Sequence, residues 1–123
     1  MPDDLDPASM TLIQRFVLLG VTHLAEREEC PAHSADVRRV CTERLEDLDG
    51  DVLGNLSEPD VIRALNRLEA DGLLEPATVE DASPVGKGRP TYSLNVEVET
   101  VLDAFQDDER VAHFVDRIRT RHA

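Results

Sequence analysis

The sequence predicts an α+β fold that is mainly helical, with a two-stranded β-hairpin and additional carboxyl-terminal helices that pair two copies. Three observations carry this reading. Apolar residues recur at helical spacing along most of the 123 residues. One stretch, Ser57 to Tyr92, joins a capped helix to two extended runs around a Gly-Pro-rich loop. The final segment carries an apolar stripe with no later element to cover it. The length suits one domain, and an apolar content of 41% suffices for one modest core.

The first helix is expected from Met10 to about Glu28, with Ser9 as its cap. Ile13, Phe16, Val17, Gly20 and Leu24 lie on one side, Leu12 and Leu19 on another, and Leu18 and Val21 between them. A helix apolar on most of its circumference must be covered twice, once by its own domain and once, on this reading, by a partner subunit. Residues 28–33 (EECPAH) read as a turn broken by Pro31. Ser34 is then placed as the cap of a second helix through about Leu48, whose inner face is Val37, Val40, Cys41, Leu45 and Leu48. Arg38 and Arg39 point elsewhere. The joint that follows, DLDGDVLGNL, exceeds the three or four residues of a compact helix-turn-helix.

Ser57 and Asp60 have the spacing of an N-cap and its N3 partner, and Pro59 falls in the first turn, where a missing N–H costs nothing. Val61, Ala64, Leu65 and Leu68 form one stripe, and Gly72 supplies the left-handed conformation that ends a helix. Asp60, Arg63, Asn66 and Arg67 occupy the opposite face. Leu73 and Leu74 open an extended segment through Val79, and Thr91 to Val96 return, with ASPVGKGRP as the loop. Glu97 to Phe105 read as a fourth helix. After the polar break Gln106-Asp107-Asp108, Val111, Phe114, Val115 and Ile118 mark a last, one-sided helix. Residues 1–96 are thus expected to carry the binding half, and 97–123 a dimerisation extension of one continuous domain. Leu12, Phe16 and Leu19 would meet Val111, Phe114, Val115 and Ile118 across a two-fold axis.

Charge is the unusual quantity. Twenty-six acidic residues against 13 basic give a net charge of −13, and lysine appears once, at Lys87. The helical periodicity argues against disorder, so the balance reads as adaptation to concentrated salt, where a Debye length of about 3 Å screens self-repulsion. The amino terminus MPDDLDPAS lacks the basic and apolar regions of a signal peptide, and no apolar run approaches about 20 residues, so a cytoplasmic protein with no membrane partner is expected. Two cysteines, Cys30 and Cys41, exclude a disulfide framework.

Helix, Gly, two leucines, strand, basic Gly-rich loop, strand: in that order the chain resembles the winged helix-turn-helix family. More narrowly, ALNRLEADGLL followed by GRPTYSL is similar to the PadR-like transcriptional regulators, over roughly residues 10 to 96. One departure is Val61, where many members carry a Tyr. The resemblance implies a homodimeric regulator bound to a pseudo-palindromic double-stranded DNA site. The acid-rich balance adds the expectation of a halophilic member, and the resemblance adds that of a response to oxidative stress.

On that reading the amino-terminal half of the third helix enters the major groove. Arg63 would contact guanine and Asn66 adenine, Glu58 or Asp60 would accept from cytosine, and Arg67 would meet phosphate. Ser34 and Ser57, at helix amino termini, would also face phosphate, and Arg38 joins this set. Lys87 and Arg89, at the loop tip, suit the minor groove. Each has a plainer alternative: ordinary surface residues, ordinary caps, a loop that happens to be basic.

Cys30, His33 and Cys41 could be metal ligands or a redox pair, yet Cys41 lies on an apolar face, where an inert thiol is usual. Asp47, Asp49, Asp51 and Glu58 mimic calcium-loop positions, but Val52 stands where that loop needs Gly. Loosely held salt cations such as K⁺ are expected at the acidic surface, with no specific cofactor or metal. His113 and His122 read as surface or interface residues. GKG lacks P-loop spacing and no G-x-S-x-G occurs, so an enzyme is the weakest class. The competing reading is a dimeric winged-helix protein-interaction module, or a thiol- or metal-based sensor, without direct DNA reading.

Overall fold

The computed structural model describes residues 9–29, 32–43, 57–77, 91–109 and 111–122. It is an α+β structure, mainly helical, with a small antiparallel sheet, and it is compatible with a winged helix.

Helix α1 (Leu12–Glu26) begins at Thr11 rather than Ser9. The Thr11 hydroxyl accepts from the Gln14 N–H at 3.1 Å, and the Gln14 side-chain oxygen accepts from the Thr11 N–H at 3.1 Å. This reciprocal pair satisfies two amides that a helix start otherwise leaves open, which fixes the start at Thr11. The helix ends at a left-handed residue: Glu28 has φ +60°, and the Glu29 N–H donates to the Leu24 carbonyl at 2.8 Å.

Every residue from Phe16 to Thr22 is buried, as is Leu24. The double cover expected of this helix comes from its own chain. Strand β1 (Ala32–His33), helix α2 (Ser34–Glu43), helix α3 (Glu58–Ala70), strands β2 (Leu74–Ala77) and β3 (Thr91–Leu94), and helices α4 (Val98–Phe105) and α5 (Ala112–His122) complete the described elements. Of these, α2, α3, α4, α5 and β3 pack on α1. Gly20 lets α2 come close: a Cβ there would stand 2.8 Å from Cys41 Sγ and 3.5 Å from Val37 Cγ1.

The stripe of α5, expected to lack cover within its own chain, has it. Phe114 meets Phe16 edge-on at a centroid distance of 5.3 Å, and Leu19, Val111, Val115 and Ile118 are all buried with them. Of the seven residues assigned to a subunit interface, Leu12 alone is half-exposed; the other six belong to the core of one chain. The reason is geometric. The turn after Phe105 folds α5 back so that the second apolar side of α1 meets it, and Arg15 reaches across to Asp108 in that turn at 2.9 Å.

The sheet has three strands in the order β1-β3-β2, all antiparallel, rather than two. Residues 32–33, expected to lie in a turn, pair as Ala32↔Tyr92 and His33↔Thr91. The hairpin runs from Leu74↔Leu94 to Ala77↔Thr91, with Pro76 on the edge strand, where its missing donor is tolerated. Ser34 is the first residue of α2 rather than its cap; the Asp36 carboxylate closes the start by accepting from the His33 N–H at 3.2 Å. No described helix is long and apolar enough to cross a membrane.

Candidate nucleic-acid interface

Helix α3 is set by local chemistry at both ends. Ser57 is its N-cap, with the hydroxyl accepting from the Asp60 N–H at 3.3 Å, and Pro59 sits in the first turn. At the other end Gly72 adopts φ +84°. The Gly72 N–H donates to the Glu69 carbonyl and the Leu73 N–H to the Leu68 carbonyl, each at 3.0 Å. These two bonds form a Schellman turn, and buried Leu73 packs as the chain leaves the helix. The turn leads directly into β2, so the direction of the hairpin follows from the end of α3. Asn95 ties the base of the hairpin to the turn by donating to the Gly72 carbonyl at 3.0 Å. Tyr92, buried in β3, adds a link to α3: burial first, then the negative charge of Glu69, raises its phenol above the ordinary value.

Val61, Ala64, Leu65 and Leu68 are buried as the stripe predicts, and α3 packs on both α1 and α2. The other face is open. Ser57, Glu58, Arg63, Asn66 and Arg67 are exposed, and Asp60 is half-exposed. Both arginines on this face are paired with acids, Arg63 near the amino end of the helix and Arg67 near its carboxyl end. Arg63 Nη2 donates to Asp60 Oδ1 at 2.8 Å, and Arg67 Nε donates to Asp71 Oδ2 at 3.3 Å. Asp71 was not among the residues singled out in the sequence, although its i, i+4 spacing to Arg67 was there to be read.

Asp60 is engaged at both oxygens, since the Ser57 hydroxyl donates to Oδ2 at 2.7 Å. The Ser57 hydrogen bond first, and then Arg63, hold its carboxyl below the usual range, so it stays ionised. Ser57, Asp60 and Arg63 therefore form one chain of contacts on the first turns of α3. Thr11, Ile13 and Gln14, from the start of α1, line a groove of about 240 Å³ beside Asp60, Arg63 and Ala64.

Ser34 and Arg38 lie on α2, a separate element, with Arg38 exposed and Ser34 half-exposed. Lys87 and Arg89 lie outside the described residues, as do Cys30, Asp47, Asp49 and Asp51. Cys41 is fully buried, with Sγ 3.7 Å from the Phe16 carbonyl, and burial pushes its thiol far up. That is the reverse of a reactive cysteine, whose thiolate must be favoured. Among the described residues no group of three or more His, Cys, Asp and Glu side chains is placed to hold a metal ion.

Comparison with protein-family models gave no match, and comparisons with curated proteins and with solved structures gave none either.

Proposed function

We propose that this chain is a sequence-specific DNA-binding transcriptional regulator that acts as a homodimer in concentrated salt, with α3 as the reading helix and the loop joining β2 to β3 as a wing. The carrying observation is α3 itself. A helix capped at Ser57, ended by Gly72 and seated on α1 and α2 presents Glu58, Arg63, Asn66 and Arg67 together on one exposed face and runs straight into a hairpin. A rigid helix with Arg and Asn at adjacent exposed positions suits the donor and acceptor pattern of the major groove.

Subunit pairing in this reading needs surface other than Phe16, Leu19, Val111, Phe114, Val115 and Ile118, or an exchange of α5 between copies that preserves the same contacts. The test is selection of DNA fragments by the purified chain in multimolar KCl, repeated with Arg63→Ala and Arg89→Ala. Enrichment of a pseudo-palindromic site, weakened by either substitution, supports the reading. Enrichment of no fragment, or binding indifferent to both substitutions, ends it.

A second reading has its own observation. Both exposed arginines of α3 are already paired, and Glu58, Asp60, Glu69 and Asp71 outnumber Arg63 and Arg67 there. Such a face also suits a basic protein partner.

A further inference from the structure

Asp60 stands out because the role first assigned to it, accepting a hydrogen bond from cytosine, conflicts with its surroundings. A carboxylate that already accepts from Ser57 at 2.7 Å through one oxygen and from Arg63 at 2.8 Å through the other has no strong reason to exchange either for a base amine. Its geometry favours another task. A free arginine side chain samples many rotamers, and its guanidinium can serve phosphate as readily as guanine. The Asp60 carboxylate grips one nitrogen of the Arg63 fork, Nη2, while the side chain stays 73% exposed. The ion pair thus limits where the fork points without burying it. Ser57 holds the opposite carboxylate oxygen, so the restraint is anchored to the helix cap rather than to another mobile side chain.

Resting on the DNA-binding reading above, we propose that Asp60 is a positioning residue: it sets Arg63 for one base edge and thereby confers sequence preference, without itself touching a base. The partner chemistry that Arg63 then reads is the two-acceptor edge of guanine in the major groove. A negative charge beside the reading arginine also opposes loose contact with phosphate, so Asp60 lowers affinity for random duplex while sharpening the choice among sequences.

The test compares the ratio of affinities for the selected fragment and for the same fragment with the Arg63-dependent base pair replaced, in wild type, Asp60→Asn and Asp60→Ser. Arg63→Ala identifies that base pair. Loss of one good bidentate contact is worth roughly 5- to 150-fold in discrimination; releasing the restraint is expected to remove part of this, a fall of about 3- to 10-fold, while affinity for random duplex rises. An Asp60 that only stabilises the helix start would lower the melting temperature and leave the ratio unchanged. A ratio unchanged in both folded variants, with a selective wild type, overturns the inference and leaves the DNA reading standing. A wild type that selects no fragment overturns both.

Discussion

The guanidinium of Arg15 meets the carboxylate of Asp108 at 2.9 Å, joining the first turns of α1 to the turn between α4 and α5. Both side chains are mostly covered, at 19% and 14% exposure, and Arg15 also donates to the Met10 carbonyl through Nε and Nη2. Removing the Asp108 carboxylate leaves the mostly covered Arg15 guanidinium on the Met10 carbonyl alone, with no opposite charge from Asp108 to balance it, which costs more than an exposed ion pair is worth. Asp108→Ala is expected to destabilise the fold by about 1–2 kcal/mol. Thermal unfolding would register this as a fall of roughly 3–8 °C. An unchanged melting temperature would show that the pair does not hold the α4–α5 turn to α1.

Gly20 and Cys41 mark the crossing of α1 and α2. A methyl group at Gly20 would lie 2.8 Å from Cys41 Sγ, closer than packed atoms tolerate. Alanine normally gains about 1 kcal/mol over glycine inside a helix. Here the overlap should outweigh that gain, because inserting a methyl into a full core costs about 1–3 kcal/mol. Gly20→Ala is therefore expected to lower the urea midpoint, and Gly20→Ala with Cys41→Ala to recover most of the loss. Independent, additive effects of the two substitutions would contradict the close approach.

Two helices end in the same turn with different residues at its left-handed position. Gly72 closes α3 at φ +84° with nothing within 4 Å of its missing Cβ, whereas Glu28 closes α1 at φ +60°. Backbone preference alone should then decide both substitutions. Gly72→Ala is expected to cost about 1–2 kcal/mol, and Glu28→Gly to stabilise by a few tenths to about 1 kcal/mol. Opposite signs in chemical denaturation are the diagnostic outcome.

Burial keeps the Cys41 thiol neutral well above the pH at which a free thiol ionises. The unfolded chain loses this proton near pH 8.5, while the folded chain retains it. Stability is thus fully present below that pH and falls above it, by up to about 1.4 kcal/mol per pH unit from this group. Cys41→Ala should flatten the difference in slope between pH 9 and 10.5. In the same range, alkylation of Cys41 followed by peptide mapping should be slow until denaturant is added. Fast labelling in the folded state would restore a thiol-sensing role to this residue.

What could be read in advance divides by the range of the interactions. The cap at Ser57, the stripe through Leu68 and the stop at Gly72 are decided within one or two helical turns, and all three stand where the spacing places them. The Thr11–Gln14 box is equally local, but Ser9 and Thr11 are both cap-forming residues just ahead of the apolar run, and spacing alone does not choose between them. Strand β1 escaped because two residues show no alternation; only pairing with Tyr92 and Thr91 makes them a strand. The cover of α5 escaped for a different reason. Apolar periodicity states that Phe114 must be buried but not whether the chain's own Phe16 or a second copy's does it, and a contact across roughly one hundred positions leaves no local trace. On the candidate face the residues were legible, whereas the pairing of Arg63 to Asp60 and Arg67 to Asp71 became visible only in the structure.

Those pairs bear on how an acidic chain would hold DNA. In a basic protein each arginine that meets a phosphate releases a condensed cation, and affinity falls with salt at a log–log slope near −0.9 per phosphate contact. Arg63 and Arg67 instead enter binding with Asp60 and Asp71 as their counter-ions. If Arg67 turns from Asp71 to a phosphate, the freed carboxylate faces a polyanion and requires a cation of its own. One cation leaves the DNA and another joins the protein, so the net release per contact approaches zero. We therefore predict a slope of affinity against KCl concentration much shallower than −0.9 per contact, or positive. Asp71→Asn should steepen it toward the ordinary value by removing the carboxylate that takes up the cation. A wild-type slope already near −0.9 per contact, measured by fluorescence anisotropy from 0.2 to 2 M KCl, would rule out this exchange.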